Sequence, residues 1–117
     1  MENAVVDKSF ELAVKVVNLT RSIRDRKEFE LARQLLRCGT SIGANVAESQ
    51  RAQSDKDFLS KLQIAAKEAN ETEYWLKLLR RTDVISEHEF VVVYEEAKEV
   101  IRLLMSITKS MSERLSK

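Results

Sequence analysis

His88 is the only histidine of this chain and Cys38 its only cysteine, so acid–base or nucleophilic chemistry would have to be built around one of them. His88 falls inside Ser86-Glu87-His88-Glu89, where Ser and Glu at this spacing form a capping box at a helix start. An imidazole there reads as an exposed residue of the cap, not as a general base. Cys38 precedes Gly39 with no histidine near it in sequence and reads as a small buried or interfacial hydrophobe rather than a nucleophile. Among the carboxylates, Glu48, Glu68, Glu71, Glu96 and Glu99 fall on three prospective helices. Dinuclear metal bundles use glutamates this way, but together with Glu-x-x-His motifs, and the chain has none. An oxygen-only site for a hard cation is the remaining metal option. The stronger expectation is that these acids, with Asn45, pair with Lys or Arg of a neighbouring helix or chain. No phosphate-cradling loop occurs, because Gly39 and Gly43 lack a Gly-Lys-Ser/Thr ending and a preceding strand. No catalytic residue, metal or cofactor is expected.

The candidates for nucleic acid are Arg33, Arg37 and Arg51, with Arg21, Arg24, Arg26 and Lys27 just before them. Arginines at helical spacing can contact successive phosphates. No helix-turn-helix pattern or aromatic-interleaved platform accompanies them, and Trp75, next to Tyr74, reads as interface or core. The net charge is +1, from 20 basic and 19 acidic residues, whereas a dedicated nucleic-acid binder carries a larger excess. Along the chain the charge alternates. A basic stretch from Arg21 to Arg37 is followed by an acidic one from Glu68 to Glu99, and Arg102 to Lys117 is basic again. Such alternation suits complementary faces of neighbouring chains or one basic surface on assembly, and equally suits solvated helix faces.

The elements that position these residues are helices. No proline, two glycines, 33% charged and 44% hydrophobic residues are the composition of an all-helical soluble protein. The 117 residues suffice for one core and not for two, so residues 1–117 are expected to form a single four-helix bundle domain. No stretch approaches the roughly 20 apolar residues of a membrane span, and Met1 to Asp7 lacks the basic and apolar regions of a signal peptide. With a single cysteine, a reducing, cytoplasmic setting without membrane contact is expected.

Asp7 is a plausible N-cap for helix one, running to about Arg24. The turn Asp25-Arg26-Lys27 leads into helix two, which continues to about Ala52. Ser54-Asp55-Lys56-Asp57 opens helix three, ending near Arg81, and the Ser86 box opens helix four, continuing almost to the C-terminus. Short turns between long helices predict an antiparallel up-down-up-down bundle. Phe58, Leu62, Ala65, Ala69, Thr72, Leu76 and Leu79 form one stripe of helix three, and Phe90, Val93, Tyr94, Ala97, Ile101, Leu104 and Met111 one of helix four. Helix one is apolar on two nearly opposite faces: Phe10, Ala13, Val14 and Val17 on one, Leu12, Val16, Leu19 and Ile23 on the other. Ile64, Trp75 and Leu78 similarly leave the stripe of helix three. Self-association is therefore expected through Leu12, Val16, Leu19 and Ile23 together with Ile64, Trp75 and Leu78. Gly39 and Gly43 each cost helix two about 1 kcal/mol relative to alanine. Spaced by four and followed by Ala47, they predict a seam where another backbone comes close.

Two segments carry a family resemblance: Leu35-Leu36-Arg37-Cys38-Gly39-Thr40-Ser41-Ile42-Gly43-Ala44-Asn45-Val46-Ala47-Glu48, and Asp57-Phe58-Leu59-Ser60-Lys61-Leu62 followed by Ala65-Ala66-Lys67-Glu68-Ala69-Asn70-Glu71-Thr72-Glu73-Tyr74-Trp75-Leu76. They resemble the signatures of the bacterial four helix bundle proteins, also called 23S rRNA intervening-sequence proteins, and the likeness extends over essentially the whole chain. The resemblance implies an up-down bundle assembling into a ring, typically a homopentamer, in the bacterial cytoplasm. It brings no enzymatic activity or cofactor. The family includes proteins encoded within insertions in 23S rRNA genes. A similar bundle serves reverse transcriptases of diversity-generating retroelements, where a basic pentameric barrel engages nucleic acid and the transcriptase. Those proteins are markedly basic and this chain is nearly neutral. Many members have Ala-Glu-Gly where this chain has Ala47-Glu48-Ser49, so helix two is expected to run on. The function expected is that of a non-enzymatic ring binding RNA, or an RNA–protein complex, through the bases near helix two. The alternative is a scaffold that docks a partner protein without nucleic acid.

Overall fold

In the computed structural model, which describes residues 3–117, the chain forms four helices: α1 (Ala4–Asp25), α2 (Phe29–Ser49), α3 (Asp55–Arg81) and α4 (Glu87–Leu115). Their ends are set by local hydrogen bonds. Asn3, and not Asp7, is the N-cap of α1, accepting from the Val6 amide at 3.4 Å. Asp7 lies in the first turn, where a carboxylate complements the helix dipole. At α3, Ser54 accepts from the Asp57 amide at 3.0 Å, while the Asp57 carboxylate accepts from Gln53 at 3.3 Å. The reciprocal bond thus lands one residue before the cap, where a Glu at this position would reach the cap itself. At α4 the box is complete: Ser86 accepts from the Glu89 amide at 3.1 Å and Glu89 accepts from the Ser86 amide at 2.8 Å. Helix α2 stops at Ser49 and does not run to Ala52. The Ser49 hydroxyl donates to the Val46 carbonyl at 2.6 Å. The amides of Gln50, Arg51 and Ala52 then bond to carbonyls three residues back, the tightened pattern of a helix end.

Cross-helix contacts run in opposite senses in every adjacent pair. Gly39 faces Val16 while Gly43 faces Ser9, and Arg37 pairs with Glu68 while Glu48 pairs with Lys61. Arg80 pairs with Glu87 while Arg114 pairs with Asp55. Arg26 pairs with Glu89 while Lys8 pairs with Glu99. The result is an all-α, antiparallel up-down-up-down bundle in which α4 closes back onto α1.

The core corrects the reading of α1. Leu12, Val16, Leu19 and Ile23 are buried inside the bundle, packed with Leu35, Ile42, Val46, Leu62, Leu76, Leu79, Val100 and Leu104. They cannot form a surface between chains. The opposite face, with Phe10 65% exposed and Val14 40% exposed, is the outer one. Two features select the inner face. Leu12, Val16, Leu19 and Ile23 continue the face of buried Val5, Ser9 and Thr20, and Gly39 leaves room for the methyls of Val16 and for nothing larger. A Cβ added at Gly39 would stand 2.6 and 2.8 Å from those methyls, and one at Gly43 would stand 3.2 Å from the Ser9 carbonyl oxygen. Ala47 is exposed and leaves this seam, because eight residues at about 100° each turn it some 80° from Gly39.

One ion pair locks an end of the bundle. Arg26 donates to the Val84 carbonyl and to Glu89, each at 2.6 Å. The Arg26 hydrogen bond, followed by the Ser86 amide, holds the Glu89 carboxyl down at about 2. A depressed carboxyl stabilises the fold above its ordinary value of 4.5, and that contribution is lost as the pH falls from there toward 2. Glu89→Gln is therefore expected to cost on the order of 1–2 kcal/mol at neutral pH, after discounting for partial exposure of the pair, and to flatten the acid limb of stability. Urea denaturation as a function of pH measures both effects.

Candidate interaction surfaces

The two residues weighed for acid–base or nucleophilic chemistry lie apart, at a helix start and inside the core. His88 is exposed in the first turn of α4. Cys38 is fully buried, its thiol donating to the Leu35 carbonyl at 3.6 Å, and burial pushes the thiol up, away from the thiolate. Glu96 binds Lys15, Glu99 binds Lys8, Glu48 lies against Lys61, and Glu68 meets Arg37 at 3.2 Å. Glu71 also accepts from Arg37, and from the Trp75 indole at 3.3 Å. Among the described residues no group of three His, Cys, Asp or Glu side chains is arranged to hold a metal ion, and no helix is long and apolar enough to cross a membrane.

The seven bases singled out in the sequence do not form one surface. Arg26 is taken up by Glu89, Arg33 by Glu30 at 2.6 Å, and Arg37 by Glu68 and Glu71. Their charge is spent within the chain. Arg24 lies 5.4 Å from the Phe29 ring, and Arg21 donates to Asn18 at 3.4 Å. Lys27 holds the left-handed residue (φ 66°) of the α1–α2 turn. Arg51 follows the far end of α2, a 21-residue helix and so about 30 Å away.

Among the described residues every helix carries exposed apolar side chains, on α4 for example Val91, Val92 and Met105. Phe10 and Val14 of α1 lie beside partly buried Ala13 and Val17, and Phe29 and Leu36 of α2 are exposed as well. Arg21, Arg24 and Arg33 stand on the same two helices. On α3, Ile64 is 42% exposed, Trp75 and Leu78 are half-buried, and Glu71 lies among them in sequence. The residues expected at an interface on α3 are thus at least partly exposed, and those expected on α1 are buried in the core.

The sequence reading missed a third surface, along α3 and α4. Lys67, Tyr74, Lys77 and Arg81 follow one another at intervals of seven, three and four, one side of a helix. Tyr94 joins them to α4. Its hydroxyl donates to Glu73 at 3.0 Å, Phe90 stacks on its ring at 4.6 Å, and the ammonium groups of Lys77 and Lys98 lie 5.9 and 5.7 Å from its centre. Tyr74 is 59% exposed. Among the described residues Lys67, Arg81, Lys98 and Lys109 have no carboxylate within 4.0 Å, and Lys77 has only Glu73, at 3.7 Å. The periodicity of these bases was the available signal. Summing charge along the chain concealed it, because Glu68, Glu71, Glu89, Glu96 and Glu99 share the stretch but pair with Arg37, Arg26, Lys15 and Lys8 on other sides.

Comparison with known proteins adds the following. The family model described as 23S rRNA-intervening sequence protein matches residues 1–106. The crystal structure of a protein with unknown function from the S23 ribosomal protein family of Bacteroides thetaiotaomicron VPI-5482 is similar, with a TM-score of 0.87 and 51% identity. That likeness covers 90% of this chain and 98% of the other. No curated protein matches the chain.

Proposed function

We propose, for a chain that belongs to the 23S rRNA-intervening sequence protein family, a function by binding and not by catalysis: a self-associating helical bundle whose assembled form associates with RNA. The observation that carries the self-association is the outer apolar face of α1 and α2, where Phe10 is 65% exposed. The occupant that suits it is a second copy of the chain. The apolar patch of α3, with Ile64 exposed and Trp75 and Leu78 half-buried, offers the counterpart surface on that second copy. Contact between unlike surfaces is head-to-tail and closes into a ring when the rotation permits. A homopentamer is the stoichiometry that the family resemblance leads one to expect. The family's link to 23S rRNA supports RNA as the ligand, and the near-neutral net charge favours the other reading, a scaffold for a partner protein.

Light scattering at micromolar concentration is expected to give a multiple of the 13.5 kDa chain, five-fold for a pentamer. Phe10→Glu with Val14→Glu is expected to give a folded monomer. A monomeric unsubstituted protein would remove the self-association. For the ligand, purification from native cells with and without nuclease separates the two readings. A partner protein retained after nuclease treatment, with no RNA bound at low salt, would favour the scaffold.

A further inference from the structure

We infer that the α3–α4 face is a binding site for single-stranded RNA, held by its phosphates along a ladder of lysine and arginine and by base stacking on Tyr74. This rests on the proposal that the bundle binds RNA and assigns the site to a surface other than the arginines of α1 and α2. The argument begins with charge. A net charge of +1 conceals a separation. The acids of α4 that face α1 are taken up by Lys8, Lys15 and Arg26. Of Lys67, Lys77, Arg81, Lys98 and Lys109, only Lys77 has a carboxylate near it among the described residues, Glu73 at 3.7 Å. Lys67 to Arg81 spans fourteen residues, about 21 Å of helix, and Lys98 to Lys109 a further eleven on α4. Spread over such a length, the charges suit an extended polyanion better than a small anion.

The second observation is the aromatic content. Tyr94 is occupied, stacked by Phe90 and flanked by Lys77 and Lys98. It fixes the direction of the two ammonium groups. Tyr74 is free on one side, in edge contact with Trp75 at 5.4 Å and 59% exposed. A positive track with an open aromatic ring is the arrangement by which proteins hold single strands without reading sequence. A duplex, with its bases stacked inward, would use the charges and leave Tyr74 idle. Lys98 and Lys109 are on α4, outside both apolar patches of the proposed self-contact, and Tyr74, which touches Trp75 of the α3 patch, stands at its edge.

The experiment is fluorescence anisotropy with labelled oligo(U) and with an RNA duplex of equal length, over a range of salt. Single-stranded RNA is expected to bind with a slope of about −0.7 in log K against log salt for each phosphate neutralised. Lys67→Glu with Lys98→Glu is expected to lower affinity at least about tenfold and to reduce the slope by about 1.4. Tyr74→Ala is expected to cost about fivefold or more on oligo(U) and nothing on the duplex. Arg51→Glu, beyond the end of α2, is the control and leaves binding unchanged. Binding of oligo(U) lost in the control and kept in Lys67→Glu with Lys98→Glu would overturn the site while RNA binding stood. Equal binding of duplex, insensitive to Tyr74→Ala, would overturn the single-strand assignment. No binding of either RNA by the unsubstituted protein would overturn the RNA reading itself. Circular dichroism of each variant checks that the helices are intact.

Discussion

Val16→Glu is expected to abolish folding. Val16 has no solvent exposure, and its methyls fill the notch left by Gly39. A carboxylate there would have no cation to pair with and no room to reach water, a penalty of several kcal/mol. Small proteins are stable by only about 5–15 kcal/mol, and the substitution also removes well-packed apolar contacts. Val14→Glu, two residues and so about 200° away around the helix and already 40% exposed, is expected to change the melting temperature by no more than a few degrees. The two together test which stripe of α1 faces inward, with helical signal and melting temperature as readouts. A folded Val16→Glu protein that had merely dissociated would restore the discarded assignment.

Gly39 is expected to be strongly coupled to Val16. Alanine in place of glycine raises helix propensity by about 1 kcal/mol, so Gly39→Ala would stabilise α2 if space were available. It is not: the new Cβ would lie 2.6 Å from one Val16 methyl and 2.8 Å from the other, and a valine side chain has little rotamer freedom with which to retreat. Overpacking costs about 1–3 kcal/mol, so Gly39→Ala is expected to destabilise on balance and Gly39→Leu to do so by more. In a Val16→Ala background Gly39→Ala is expected to turn stabilising, giving a coupling of about 1–3 kcal/mol in a double-mutant cycle. Additive effects in urea denaturation would show that the seam is looser than the distances imply. Gly43→Ala, whose nearest contact is 3.2 Å from the Ser9 carbonyl, is expected to cost less.

Most of the architecture was legible because its signals are local. Ser54 and Ser86 announced the starts of α3 and α4 through side-chain chemistry confined to one turn. The stripes of those helices gave their inner faces because each had one long apolar stripe, beside which other apolar residues, such as Ile64, Trp75 and Leu78, were scattered. On α1 periodicity found two sides and offered no means of ranking them. The deciding information, the Gly39 notch that accepts Val16, lies on another helix. The same limit applied to charge. Arg26, Arg33 and Arg37 are conspicuous in sequence, yet each is neutralised by a carboxylate, two of them by acids dozens of residues away. Lys67, Lys77 and Lys98 sit in an acidic stretch and are unremarkable until helix packing turns the acids elsewhere.

The closure of α4 onto α1 also bears on how the chain reaches its structure. Every other helix contact joins neighbours in sequence and can form as a hairpin while the remainder is unfolded. Such local topologies belong to the fast end of folding rates, because little loop entropy is lost before contacts form. Only the α1–α4 contact spans nearly the whole chain, and Lys8–Glu99, Lys15–Glu96 and Arg26–Glu89 lie across it. On a ribosome this contact must wait for α4 to emerge. Until then α1 stands with one side uncovered, and that interval is when an unfinished chain is most open to the α4 of another copy, the route by which helical bundles exchange segments.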